Sequence, residues 1–193
     1  MISSVQLNAE TYVVAGNQLG KDFVAAFIAL SFFICPQMYF DPEYVKQVEA
    51  RRKPGQPDWQ VHTRRIVTTS VKEDHLRVLW GEIGRYLTTS EIPLLVDRGG
   101  VLNVVQREIR LKEEIGASGN PLNYLRGMVS EKGEGMAGHH ASYTMLVGDE
   151  CSGIDDAVYE QGQGWARRML MFGNPNQCSN FFYKNVKAGD LLI

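Results

Sequence analysis

The sequence is poor in the features that usually announce a protein class. It has three cysteines, Cys35, Cys151 and Cys178, widely spaced and odd in number. That excludes a disulfide framework and a paired-cysteine metal site, and it fits thiols kept reduced. It has almost no charge surplus: 20 Lys and Arg stand against 22 Asp and Glu. Net charge therefore makes no case for a polyanionic partner, although a local basic face is compatible with a neutral total. It has no long apolar run. The longest, Phe23 to Cys35, spans thirteen residues and stops at Pro36, too short to cross a bilayer. It follows the charged pair Lys21 and Asp22 and has no small-residue cleavage site, which excludes a signal peptide. There are no repeats and no low-complexity tracts. A chain of 193 residues suits one domain with a sizeable core.

What is present is a series of short apolar runs punctuated by turns. In Met145 to Ile154, four uncharged residues run into the adjacent carboxylates Asp149 and Glu150, and Ser152-Gly153 follows. Such a run reads as a buried strand, of the kind found in parallel sheets covered on both faces. Functional groups of parallel sheets gather at the carboxyl ends of their strands. Two acids there are costly unless they hold a metal or perform acid–base work. The alternative is a strand end facing water, with Asp149 capping the next helix.

Upstream, Thr11 to Ala15 reads as a strand. Gly16, Asn17, Gln18, Leu19 and Gly20 break it, and Lys21 opens the apolar helix. Strand, glycine-containing loop, lysine and helix is the plan of a phosphate-binding loop, in which backbone N–H groups surround phosphate oxygens and the lysine adds a mobile positive charge. Aligned on Gly20-Lys21, the loop departs from that motif at both ends. Ala15 stands in place of the first glycine, and Asp22 in place of the hydroxyl residue that meets magnesium. Asp22 could bind a metal itself, directly or through water. On its own the loop also reads as an ordinary turn.

The remaining chain is read as a helix from Pro42 to Arg52 ending in the basic cluster Arg51-Arg52-Lys53, where cations suit a helix end or touch DNA. Arg64 to Thr69 reads as a strand. Ser70 and Glu73 form a capping box for a helix running to Leu87, with Leu76, Leu79, Trp80, Ile83 and Leu87 at helical spacing. We read a helix over Val104 to Glu114, a strand over Asn123 to Val129 and a polar, glycine-rich loop over Ser130 to Gly138. His139 and His140 are adjacent, a poor chelate because neighbouring side chains diverge. A helix capped near Asp155, a strand from Arg168 to Gly173, a turn at Gly173 to Asn176, and a last helix or turn over Ser179 to Val186 complete the reading. Asn174 thereby falls at a carboxyl strand end with the loop and the acid pair. This order is that of an α/β P-loop NTPase of the additional-strand, catalytic-glutamate type, a mostly parallel sheet flanked by helices.

The run from Gly135 to Asp156, with Arg168 to Pro175 and Phe181 to Tyr183, resembles the ATPase domain of phage terminase large subunits, the motors that package viral DNA into proheads. The resemblance extends from Thr11 to Tyr183 and is strongest after residue 135. It implies a nucleotide cradle over Ala15 to Asp22, with Lys21 in the Walker A position on the β and γ phosphates. It implies Asp149, in the Walker B position, as a ligand of Mg2+ (with Asp22 as a second) and Glu150 as the base that activates water. Asn174 would sense the γ-phosphate in the coupling motif, and Gln6 would read adenine. A trans-acting arginine, Arg126 or Arg98, would stabilise the transferred phosphoryl group. ATP and Mg2+ are the implied cofactors. The implied partners are double-stranded DNA, further copies in a ring on the portal, the portal protein and the small terminase subunit, with no membrane. The setting would be the host cytoplasm and, transiently, the prohead portal.

Residues 1–193 are expected to form a single ATPase domain, with the family's C-terminal nuclease domain outside the chain and no nuclease activity within it. The competing expectation is an inactive P-loop-fold structural or nucleic-acid-binding module whose metal site is lost through Asp22. A helicase is the third, but it needs a second motor domain or ring partners.

Overall fold

The computed structural model describes residues 1–15, 20–114, 120–129, 133, 135–174 and 179–189. Seven strands of the described residues form one sheet: β1 (Glu10–Val14), β2 (Arg64–Ser70), β3 (Leu102–Val105), β4 (Glu108–Leu111), β5 (Tyr124–Gly127), β6 (Tyr143–Asp149) and β7 (Arg168–Gly173). Their spatial order is β1-β7-β6-β2-β5-β4-β3. The first five in that order pair in parallel, whereas β4 pairs antiparallel with both β5 and β3. The α/β, mostly parallel architecture read from the sequence is therefore present.

Alternation along the central strands sends side chains into two cores. Ile66, Met145, Val147, Leu170 and Phe172 face the helices α2 (Lys21–Ile34) and α5 (Glu73–Thr89), meeting Ile28, Phe32, Leu79 and Ile83. Val67, Leu146, Met169 and Met171 face the other way, onto Val158 of α6 (Asp156–Gln163) and Phe181 and Phe182 of α7 (Phe181–Ala188). With both faces covered, every residue of β6 is buried, which is why that strand reads as a continuous run rather than an alternating one. No described helix is long and apolar enough to cross a membrane.

The smaller elements are α1 (Ile2–Leu7), α3 (Pro42–Glu49) and α4 (Asp58–Val61). Asp41 caps α3 by accepting from Tyr44 N at 2.8 Å, and Asp155 caps α6 by accepting from Ala157 N at 2.8 Å.

Two local readings are corrected. The helix expected over Val104 to Glu114 is instead the hairpin β3–β4, followed by a short 3-10 turn at Lys112–Glu114. Ile109 and Leu111 alternate with polar residues in β4, and the two-residue turn at Gln106 and Arg107, with Gln106 at φ 56°, separates them from Val104 and Val105 of β3. The combined spacing then mimics a helical one. The capping box at Ser70 does not form. Ser70 is the last residue of β2 and donates to Asp149 O at 3.1 Å. The helix starts at Glu73 behind Lys72, which makes no side-chain cap, and Glu73 and Asp74 in its first turn offset the helix dipole.

Candidate active site

The parallel strands bring their carboxyl ends to one edge. Ala15 follows β1 there and its N–H donates to Gly173 O at 3.2 Å, which ties the end of β1 to the end of β7. Gly16, Asn17, Gln18 and Leu19 lie outside the described residues, as do Pro175, Asn176 and Cys178 and, in the loop read over 130–138, residues 130–132 and 134. Gly20 caps α2 in the left-handed conformation at φ 72°, a geometry glycine adopts without steric cost. Lys21 is therefore the first residue of α2, and it is buried.

Its ammonium group reaches the end of β6. Nζ lies 2.9 Å from Asp149 Oδ1 and donates a short hydrogen bond to Glu150 Oε1. Burial opposes the lysine's charge, but the contacts with Glu150 and Asp149 outweigh it and hold its pKa above the ordinary value. Asn174 stands exposed at the end of the neighbouring strand β7. Lys21, Asp149 and Glu150 thus meet as the sequence reading required, with Asn174 on the adjoining strand end.

Backbone packing fixes this corner. A Cβ on Gly148 would lie 2.6 Å from Cys151 Sγ and 2.7 Å from Met171 Sδ, and one on Gly173 would lie 3.1 Å from Ser152 N. Glycine at both positions lets the turn after β6 fold flat over β7. Glu150 itself adopts φ 52° and ψ 45°, a left-handed conformation that costs a non-glycine residue about 1 kcal/mol or more and tends to survive at functional sites. Asn180, just before α7, donates from Nδ2 to Cys151 O and Ile154 O, each at 2.7 Å. The segment after β7 is thereby tied to the acid turn. Asn180 did not stand out in the sequence and Ser70 did so only as a helix cap, because both act on carbonyls brought near only by the fold.

The acids suit a divalent cation. Asp149 Oδ1 is buried with the Lys21 ammonium 2.9 Å away as its counter-charge, and a buried carboxylate needs a cation of this kind beside it. Asp22 is half-buried, and its carboxyl is held above the ordinary range by burial and by the charge of Asp149. A cation beside the two would relieve that repulsion, and their hard oxygen donors suit magnesium. Among the described residues no group of three or more His, Cys, Asp or Glu is placed to hold a metal. The remaining ligands would then be phosphate oxygens and water.

Other expected participants lie elsewhere. Gln6 belongs to α1, donates to Met38 O at 3.1 Å, and accepts at its carbonyl from Arg168 at the amino end of β7, the edge opposite Lys21. Arg126 donates to Glu108 and lies 4.4 Å from the Tyr124 ring centroid. Arg98 is exposed and donates to Thr88 O at 2.8 Å. His139 is buried between Tyr124 OH and Gly135 O, and burial pushes its pKa down; it is a structural residue. His140 is exposed.

No family model and no curated protein matches the chain. Solved structures do. A point mutant of the large terminase ATPase domain of Thermus phage P74-26 superposes with a TM-score of 0.55 at 13% identity, covering 95% of this chain and 66% of that one. The same domain in another structure gives 0.52 at 14% identity, covering 93% and 67%. The large terminase of bacteriophage HK97 gives 0.50 at 10% identity, covering 87% of this chain and 29% of that one. The chain thus spans about two thirds of the P74-26 domain and under a third of the HK97 protein. At these identities the likeness speaks to architecture, and what it establishes is that this chain shares the fold of phage large terminase ATPase domains.

Proposed function

We propose that the chain is the ATP-hydrolysing motor domain of a viral DNA-packaging terminase, coupling hydrolysis to movement of double-stranded DNA into a prohead. The observation that carries this reading is the contact of Lys21 Nζ with both Asp149 and Glu150 at the carboxyl edge of the sheet. On binding ATP, Lys21 exchanges these carboxylates for β- and γ-phosphate oxygens, and the amides of the Ala15 to Asp22 segment surround the phosphates. Glu150, freed from the lysine, accepts a proton from the attacking water. The water oxygen bonds to the γ-phosphorus, the bond to the β-phosphate oxygen breaks, and ADP and phosphate leave. Asp149, with Asp22 beside it, would hold Mg2+, which supplies charge neutralisation on the phosphates. In the same reading Asn174, exposed just after β7, responds to the γ-phosphate and passes the change to the chain after β7.

A ring of copies on the portal, with the portal protein and small terminase subunit as partners, follows from the same reading and sets it in the host cytoplasm. Of the two arginines considered for action in trans, Arg98 is the better suited, because Arg126 is engaged by Glu108 and stacked on Tyr124. The reading predicts magnesium-dependent ATP hydrolysis by the purified chain that disappears in Lys21→Ala and Glu150→Ala. Full hydrolysis in either variant would overturn it.

One observation favours a second reading, an inactive module of the same fold. Asp22 adds negative charge where a hydroxyl is expected, and its carboxyl is already held above the ordinary range by burial and by the charge of Asp149. Calorimetry separates the two. No measurable binding of ATP at millimolar concentration, with or without magnesium, would favour the inactive module.

A further inference from the structure

The edge of the sheet opposite Lys21 carries arginines that the hydrolytic site does not use. A cavity of about 490 Å³ opens there, lined by Phe40, Asp41, Tyr44, His140, Arg167 and Arg168 among others. Phe40 and Tyr44 stack with centroids 4.9 Å apart at 27°. Arg167 lies over the Tyr44 ring at 5.0 Å, and Arg168 over the Phe40 ring at 4.5 Å. The aromatic pair is thus a platform with a guanidinium on each ring, an arrangement that orients the cations without neutralising them.

The hydrogen bonding sets two roles. Arg168 is half-buried and spends its donors on the carbonyls of Tyr39, Gln6 and Arg167. It contributes fixed charge. The exposed guanidinium of Arg167 has no carboxylate partner among the described residues, and neither does the exposed Arg51, whose charge also acts on Tyr44. Arg52 next to it behaves differently: it is occupied by Glu49, Asp58 and Gln56 O. The acid in the cavity wall, Asp41, is turned to capping α3. His140 is exposed at the rim.

We infer that this amino-edge platform is a docking surface for the phosphate backbone of nucleic acid, with Arg51 and Arg167 as the groups that meet phosphates and Arg168, Tyr44 and Phe40 as the support that aims them. Guanidinium donors left open beside a ring platform suit phosphate oxygens. Contacts confined to phosphates would be indifferent to sequence and steep in salt. The surface lies across the sheet from the nucleotide edge, so duplex and ATP would not compete for space. As a DNA surface of a packaging motor the inference rests on the function proposed above, but the binding itself can be tested apart from hydrolysis.

The test uses the full chain, a short fluorescent duplex of arbitrary sequence, and anisotropy across a salt series, with ATP hydrolysis measured in parallel. Arg51→Ala and Arg167→Ala should each weaken binding and each reduce the magnitude of the slope of log affinity against log salt by about 1. The double variant should bind about tenfold or more weakly at moderate salt, with basal hydrolysis unchanged. Arg77→Ala, which removes an exposed arginine on α5, is the comparator and should bind like the parent. Duplex binding through Arg51 and Arg167 by a chain that hydrolyses no ATP would keep the surface and discard the motor. Normal hydrolysis with a double variant that binds DNA like the parent, or an equal loss in Arg77→Ala, would overturn the surface.

Discussion

The two edges of the central sheet handle positive charge in opposite ways. At the carboxyl edge, Lys21 is buried against two carboxylates. At the amino edge, Arg64 is buried against the carbonyls of Phe33 and Ile34, each at 3.1 Å, and Arg168 against carbonyls and an aromatic ring. Burial pulls Arg64 and Arg168 below their ordinary pKa, with the charge of Arg167 adding to it at Arg168, whereas the acids hold Lys21 above its own. The difference is one of exchangeability. A lysine held by acids can trade them for other charged groups, and in the function proposed here it trades them for phosphate. An arginine that closes the last carbonyls of a helix is part of the frame.

Substitutions at the two edges should therefore differ in kind. The largest effect is expected from Lys21→Ala, which leaves Asp149 buried without a counter-charge. Breaking a buried pair in this way should cost about 3 kcal/mol of stability, and adding Asp149→Asn should recover part of it. Denaturant unfolding of the single and double variants checks both, and additive losses would mean that the pair is not coupled. Arg64→Leu should cost less, about 2 kcal/mol, the penalty for leaving the carbonyls at the end of α2 without a donor. No second substitution of a carboxylate should rescue it. Rescue would make the amino edge an ion-pair site like the other.

The smallest effect is expected at Asp22. Its folded pKa is raised above the usual carboxylate value, so the native state binds more protons than the unfolded state in that window. Stability should then fall as pH rises from the usual carboxylate range through the raised value, and Asp22→Asn should remove the fall. Thermal melts across mildly acidic to neutral pH would show it as convergence of parent and variant at the acid end. A parent that gains relative stability with rising pH would contradict the stated sign.

How much of this was legible in the sequence depended on whether the signal was local. The strands β6 and β7 and the helix α2 each carry an uninterrupted apolar run, bounded by glycine, proline or charge, and all three form where they were read. The hairpin β3–β4 was not legible, because the turn at Gln106 shifts the apolar phase in mid-run. Ser70 has the right spacing from Glu73 for a cap, but its partner, the Asp149 carbonyl, comes from β6. Of the basic cluster, Arg52 is tied to acids while Arg51 is exposed and has no carboxylate partner among the described residues, a division that composition does not encode. Lys21, Asp149 and Glu150 were legible because strand order brings their ends together whenever the strands run parallel.

The most direct test of the central claim is the separation of nucleotide binding from hydrolysis in Glu150→Gln, with calorimetry of ATP and magnesium beside steady-state turnover. The substitution keeps the shape and removes the base. ATP binding should stay near that of the parent while turnover falls by about two orders of magnitude or more. Turnover at the parent's rate in Glu150→Gln would contradict the account.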